Sequence, residues 1–275
     1  MSNLPQLRQL MKTDQVQKQF EGMLKDNAAS FITTVITNVS NNKSLQNVSP
    51  NSIILAAATS AALKLPVNPN LGYAAIIPFK GVAQLQVMVN GWMALAKRSG
   101  QVKKLICEPV HEGELIEANK FTEEYKFKDL GIDDDSKIIG FMCKLEEING
   151  FEKTLYWDKN KVLNHGKKYS KTFSRSDSLW RTNFAAMGRK TILKHMLVKY
   201  ATLSLELQTA IDRDEHTLEG EITDIKATPD FDVPESNYEE LKDDKEQDKK
   251  EEKKKIVKEE AEVKPKEPTK DEIEF

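Results

Sequence analysis

The sequence predicts an α+β fold, with a β-hairpin and an antiparallel sheet packed on a long helix. Helical spacing of apolar residues runs through most of the first sixty positions and returns from 179 to about 211. Between them, apolar and β-branched runs of strand length are separated by turn residues. The strands are not spaced by regular crossover helices, which argues against a parallel α/β sheet.

From Leu4 to Thr37, the spacing of Leu7, Leu10, Met11, Val16, Phe20, Met23, Leu24 and Phe31 predicts two helices broken near Asp26 to Ala28. Ser49-Pro50-Asn51 offers a helix start, followed by the alanine-rich SIILAAATSAALKL. PVNPN, with two prolines, ends that helix. In YAAIIPFKGVAQLQVMVN, Val82, Gln84 and Gln86 alternate with Ala83, Leu85 and Val87, which predicts a hairpin turning at Phe79-Lys80-Gly81. GWMALAKRSG reads as a helix with Lys97 and Arg98 in its last turn and Gly100 as the stop. KKLICEPVHEG, EEYKFKD and KIIGFMCKLEEING follow as strands of a meander, the last turning at Asn149-Gly150 into FEKTLYW. Asp133-Asp134-Asp135 reads as a solvated loop, residues 157 to 165 as a short helix, and GKKYSKTFSRSDS as a polar loop. LWRTNFAAMGRKTILKHMLVKYATLS opens the long last helix.

The 275 residues, 39% of them apolar, suffice for one sizeable core or two small ones. The formal charge of −2 conceals an asymmetry. Residues 221 to 275 hold 12 Lys against 20 Asp and Glu, a net of −8, which leaves +6 on residues 1 to 220. A basic body with an acidic tail points toward a polyanionic partner. The tail has too few apolar residues to offset its ordering entropy, so disorder is expected over residues 220–275. The N-terminal stretch holds no apolar run of signal-peptide type and no segment reaches membrane-span length, which predicts a cytoplasmic protein. Cys107 and Cys143 sit in apolar surroundings and read as two reduced core thiols.

Enzymatic signatures are weak. Gly188-Arg189-Lys190-Thr191 imitates the end of a phosphate-binding loop, but Arg189 separates glycine from lysine and no strand precedes it. Glu124 and Lys126 on a strand, with Glu108, Glu112 and Glu114 upstream, are the one fragment suited to a metal-dependent DNA nuclease, the alternative reading. The four histidines are scattered, and no serine or cysteine stands in a nucleophile elbow.

Charge is the stronger signal. From Lys159 to Lys199 there are eleven Lys and Arg against one acid, Asp177. Such a block costs self-repulsion unless an anion is present. On a helical wheel Ile192, Leu193, Met196, Leu197 and Tyr200 share an arc with Ala185 and Ala186, with Arg189 at its middle. That position predicts that Arg189 lays its stem across the core edge or meets a neighbouring chain. Lys190 and Lys194 fall on the opposite arc beside Asn183, spaced for successive phosphates. Trp157, Tyr169, Phe173 and Trp180 interleave with the cations, and stacking rings beside backbone-tracking charges suit single-stranded nucleic acid.

ALKLPVNPNLGYAAIIPFKGVAQLQVMVNGWMALAKRSGQV, residues 62 to 102, and LWRTNFAAMGRKTILKHMLVKYATLS together resemble the RecT family of phage single-strand DNA annealing proteins. The shared order is a leucine-rich helix end, a proline loop, a Pro-x-Lys-Gly hairpin tip, a helix ending Arg-Ser-Gly, and Lys-Thr-x-x-Lys before the last core helix. The chain departs at Val89-Asn90-Gly91-Trp92, at Leu179, at Gly188 where Ala is usual, and at Ala201-Thr202 where Pro often occurs.

The resemblance implies ATP-independent annealing in a bacterial cytoplasm, by rings or helical filaments whose subunits line a positive groove. It implies no cofactor, with magnesium entering only as a modulator of annealing. The implied partners are single-stranded DNA, the annealed duplex intermediate, further copies of the chain, a 5′ to 3′ exonuclease of the same phage and a host single-strand-binding protein. Residues 1–48 would then pack between subunits, 49–219 form the annealing core, and 220–275 the tail. The expected groove residues are Lys167, Lys168, Lys171, Phe173, Arg175, Arg181, Asn183, Arg189, Lys190 and Lys194. Lys97, Arg98, Lys103 and Lys104 form a second bank, and Lys80 lies at the hairpin tip.

Overall fold

In a computed structural model the chain is described over residues 2–219; the tail expected to be disordered lies outside the described residues. Three helices, α1 (Leu4–Leu10), α2 (Asp14–Leu24) and α3 (Ala28–Asn41), occupy the stretch where two were expected. The break near Asp26 is present, and a second falls at Met11 to Thr13, where the Thr13 hydroxyl donates back to the Leu10 carbonyl. Buried Val35 and Val39 belong to α3, which packs on α1 and α2, while Leu7, Met11, Val16 and Phe20 turn inward, α1 and α2 packing on α4 (Pro50–Ala62). Its run of Ala56, Ala57, Ala58 and Ala61 is fully covered, because small side chains let backbones approach closely on all sides.

The hairpin forms as expected, β1 (Ala74–Phe79) pairing with β2 (Val82–Val87) from Ala74 opposite Val87 to Phe79 opposite Val82. Lys80 (φ 47°) and Gly81 (φ 81°) both take left-handed backbone, the two-residue turn that matches strand twist. Ala83, Leu85 and Val87 face α4, and the Ala83 N–H donates to the Ser52 hydroxyl at 2.7 Å. After α5 (Val89–Arg98), β3 (Val102–His111) leads into β4 (Leu115–Asn119) and β5 (Glu124–Phe127). These last two form a hairpin of their own. β6 (Ile138–Glu147) and β7 (Glu152–Asp158) then complete a three-stranded sheet of order β3-β6-β7. The expected meander is therefore interrupted: β3 pairs with β6 across an inserted hairpin, whose first strand the sequence did not signal.

Pro109, Cys107 and Leu105 on β3, Phe141, Cys143 and Leu145 on β6, and Trp157 and Leu155 on β7 lie opposite one another on the helix-facing side. Cys107 and Cys143 are direct neighbours, both free and buried. The hydrogen bond to Cys107, then burial, push the Cys143 thiol far up, so it stays protonated.

The expected short helix is α6 (Lys159–Tyr169), longer than predicted, with Trp157 still on β7 and Asp158 accepting from the Lys161 N–H as its cap. The last long helix is instead three: α7 (Leu179–Thr182), α8 (Phe184–Tyr200) and α9 (Leu205–Glu219). Asn183 adopts φ −150°, and its side-chain oxygen accepts from the Ala186 N–H, so it caps α8 rather than lying on a helix face. At the other end of α8, buried Glu147 accepts from the Thr202 N–H (2.6 Å) and hydroxyl (2.9 Å), fixing the turn toward α9. α8 lies over β3 and β6 and approaches closely at Gly188, where a Cβ would stand 2.1 Å from the Phe141 ring.

Candidate nucleic-acid interface

The inward arc of α8 is the one its spacing predicted: Ile192, Leu193, Met196 and Leu197 are buried. Arg189 lays its backbone over β3, its carbonyl accepting from the Cys107 thiol, and its guanidinium reaches past the sheet edge to Glu108 at 2.6 Å. It is thus engaged within the chain, by an acid the wheel does not show.

Lys190 and Lys194 were expected on an open cationic arc and are not open. α9 covers them, and Asp214 stands between the two ammoniums, 2.7 Å from Lys194 and 4.0 Å from Lys190. Burial pulls the Lys190 ammonium below its ordinary pKa, Asp214 raises it again, and Lys194 lowers it further. The partner acid lies 20 residues along the chain from Lys194, on a helix that was read as a continuation of α8.

A second group of cations does face solvent. Lys167 and Lys168 close α6, Arg181 projects from α7, and Lys171 lies in the loop between. Lys171 crosses to the hairpin tip, where its Nζ stands 4.7 Å from the Phe79 ring centre, and Lys80 stands 5.7 Å from the same ring. Segments 91 positions apart thus bring two ammoniums to one aromatic ring, with no ion-pair partner for either among the described residues. Arg175 is different, since Asp177 takes its guanidinium in a forked pair at 2.9 and 2.7 Å.

The rings divide as well. Trp180 is buried across Gly166, where a Cβ would lie 2.7 Å from the indole, and Phe173 is half-buried against it at 5.6 Å. Trp157 is buried beneath α6 and α8, with His195 at 4.6 Å and His165 at 5.7 Å. Tyr169 meets His165 at a tilt, 4.6 Å between ring centres, and stays exposed under Lys168. Burial, then Lys199, Lys161 and His165, push His195 down to about 4; burial, Lys194 and Lys168 lower His165 too. Both rings are therefore neutral at neutral pH and pack as aromatic plates. Lys161, over Trp157 at 4.4 Å, is an exposed cation of this surface that belongs to the basic block but is not among the expected groove residues.

The second bank stands elsewhere. β6 runs from the α6 end of the sheet, with Gly140 opposite Asp158, to Glu147 opposite Val102, about 23 Å away at the usual strand rise. Lys103 and Lys104 lie at that far end, and Lys104 pairs in register with Glu146. Arg98 donates to the Leu63 carbonyl at 2.6 Å, holding the end of α4, and also meets Glu206 at 3.5 Å. Arg98 is thus tied to two neighbouring elements while staying exposed, and Lys97 is exposed beside it at the α5 terminus.

Glu124 and Lys126 give the nuclease alternative no support. Lys126 pairs with Glu117 across β4 and β5 at 2.6 Å in the open, and Glu124 accepts from the Thr122 hydroxyl. Among the described residues, no group of three or more His, Cys, Asp or Glu is placed to hold a metal ion. No helix among them is long and apolar enough to cross a membrane.

Comparison with known proteins follows the same segments. The sequence profile of the RecT family matches residues 29–230. The chain belongs to the RecT family. The uncharacterized protein YqaK of Bacillus subtilis strain 168 is 39% identical over 213 residues, covering 78% of this chain and 73% of its own. Protein RecT of Escherichia coli strain K12 is 25% identical over 198 residues, covering 68% and 71% respectively. RecT membership places the chain among DNA-binding proteins of single-strand annealing and recombination. The departures from the RecT pattern have local physical reasons. Gly188 makes room for Phe141, and Asn90 donates to the Leu71 carbonyl at 2.9 Å, holding the proline loop against α5. Thr202 supplies the N–H that a proline lacks, and Glu147 accepts it.

Proposed function

We propose that the chain is an ATP-independent single-stranded DNA annealing protein that works as an oligomer, holding strands in a basic groove until complementary bases pair. The observation that carries this reading is the meeting of Lys171 and Lys80 on Phe79, with exposed Lys167, Lys168 and Arg181 on the segments that flank Lys171 in the chain. Two ammoniums sharing one ring repel each other, and a phosphate between them would relieve that repulsion. Contacts of this kind grip the backbone and leave base edges free, as pairing requires, and they carry no sequence preference. Screening the repulsion between two phosphate backbones is then the whole catalytic contribution, with no bond made or broken and no cofactor; magnesium would act only as a modulator. Subunits would extend the groove into a ring or filament. A 5′ to 3′ exonuclease of the same phage would supply the single strand, and a host single-strand-binding protein would hand it over.

The test is the salt dependence of oligothymidylate binding for Lys80→Ala combined with Lys171→Ala. Loss of two phosphate contacts should weaken binding and flatten the log–log salt slope by about 1.4 units, at about 0.7 per single-strand contact. Wild-type affinity and slope in the double variant would reject the groove.

A further inference from the structure

The Asp214 contact has features of a bound anion rather than of an ordinary core ion pair. Its carboxylate faces Lys194 at 2.7 Å and Lys190 at 4.0 Å, with the three side chains 8%, 17% and 13% exposed respectively. Among the described ion pairs, one negative charge serves two largely dehydrated ammoniums, an arrangement that costs stability in a dry site and is unexpected where stability alone is at stake. α9 packs on β2 of the hairpin and on α5, and its Asp214 reaches Lys190 and Lys194 of α8. Its sequence, LELQTAIDRDEHTLE, has five acids and one arginine, while the α8 helix opposite has four Lys and Arg and no acid.

The described side chains of α9 bury little apolar surface, and its one described ion pair besides Asp214 is the half-exposed contact of Glu206 with Arg98 at 3.5 Å. Among the described side chains of α9, Leu207 and Ala210 are the buried apolar ones, Ile211 is half-buried, and Leu205 is 79% exposed. Burial of that size contributes about 3–5 kcal/mol, little more than the cost of ordering a few of its residues. The turn before it is anchored separately: Thr202 is bonded to Glu147 at the sheet end, so α8 keeps its seat if α9 leaves.

We propose that α9 is a displaceable cover in which Asp214 takes the place of a DNA phosphate, and that Lys190 and Lys194 engage single-stranded DNA only when α9 withdraws. The inference rests on the DNA-binding reading above and adds a regulation to it. A phosphodiester offers the same single charge and paired oxygens as the carboxylate it replaces. Binding therefore exchanges one anion for another at the same two lysines, and the exposed cations at the hairpin tip provide first contact. Each bound strand must displace α9, so affinity is lowered by the fraction of covers closed.

Amide hydrogen exchange on the full wild-type chain, with and without saturating oligothymidylate, reads this directly. Protection across residues 205–219 should fall at least tenfold on binding while residues 188–200 stay protected; unchanged or increased protection of 205–219 overturns the cover. Asp214→Asn in the full chain should bind oligothymidylate more tightly, with a salt slope steeper by about 1.4 units for two added contacts. Adding Lys190→Met and Lys194→Met to it should erase both gains. Normal DNA binding with α9 still protected rejects the cover alone, whereas no DNA binding by the wild-type chain rejects the groove and the cover together.

Discussion

Replacing Gly188 by alanine sets two opposed effects against each other, and the structure decides which wins. In an ordinary helix the change from Gly to Ala stabilises by about 1 kcal/mol. Here the added methyl would stand 2.1 Å from Cζ and 2.2 Å from Cε2 of Phe141, where an ordinary contact is 3.4 Å or more, so one group must move by over an ångström. The Phe141 ring has nowhere to go: it is wholly buried and meets Phe184 edge-on at 5.4 Å. Overpacking of this kind costs about 1–3 kcal/mol, and a rigid ring places the cost at or above the upper end. The net expectation is a loss of about 1–2 kcal/mol, read from urea unfolding by tryptophan fluorescence at fixed protein concentration. Phe141→Leu alone should also destabilise, by leaving a cavity, and the double variant should recover part of the loss as a favourable coupling. If Gly188→Ala instead stabilised the protein by about 1 kcal/mol, the close seating of α8 on β6 would be wrong.

Further expectations concern the polar supports. Glu147→Ala removes the acceptor of the Thr202 N–H and hydroxyl and of the Asn149 side chain, and should cost about 2–3 kcal/mol, with faster amide exchange at 201–204 as the local signature. Arg189→Met should change unfolding free energy by no more than about 1 kcal/mol, because its Glu108 partner is an exposed ion pair; a larger loss in denaturant titration would assign it a different role. His195 is depressed to about 4, so the folded state disfavours its protonated form. Its contribution is intact above about pH 6.5 and is lost as pH falls from there toward 4. Because water still reaches the ring, the loss is about 1–2 kcal/mol, short of what the full shift implies. His195→Phe should flatten the stability profile in that window, and an unchanged profile would place the proton elsewhere.

What the sequence reveals follows the range of the interaction involved. The β1–β2 hairpin was legible because alternation and the Lys80-Gly81 turn are both local. The buried arc of α8 was legible through its period alone. β4 left no pattern to read, since its Leu115, Ile116, Glu117, Ala118 and Asn119 alternate neither in polarity nor in burial. The Thr182-Asn183 capping signal was present but was outweighed by helical spacing on both sides of it. Lys190, Lys194, Arg98 and Arg189 show the limit most clearly. Each was identified as a cation from its own helix, and each is engaged by a partner on another element: Asp214, the Leu63 carbonyl with Glu206, and Glu108. A wheel shows which side of a helix is polar; it does not show what covers that side. The convergence of Lys80 and Lys171 on Phe79 was equally out of reach, because it joins two loops through the folded core.

The central claim is strand annealing without nucleotide hydrolysis. Two complementary labelled oligonucleotides, added one after the other to the full chain with magnesium and without ATP, test it most directly when pairing and strand length are followed together. The account predicts pairing well above the protein-free rate with both strands at full length, and a slower rate for Lys80→Ala with Lys171→Ala. Pairing no faster than without protein, or strands shortened in its presence, would contradict it.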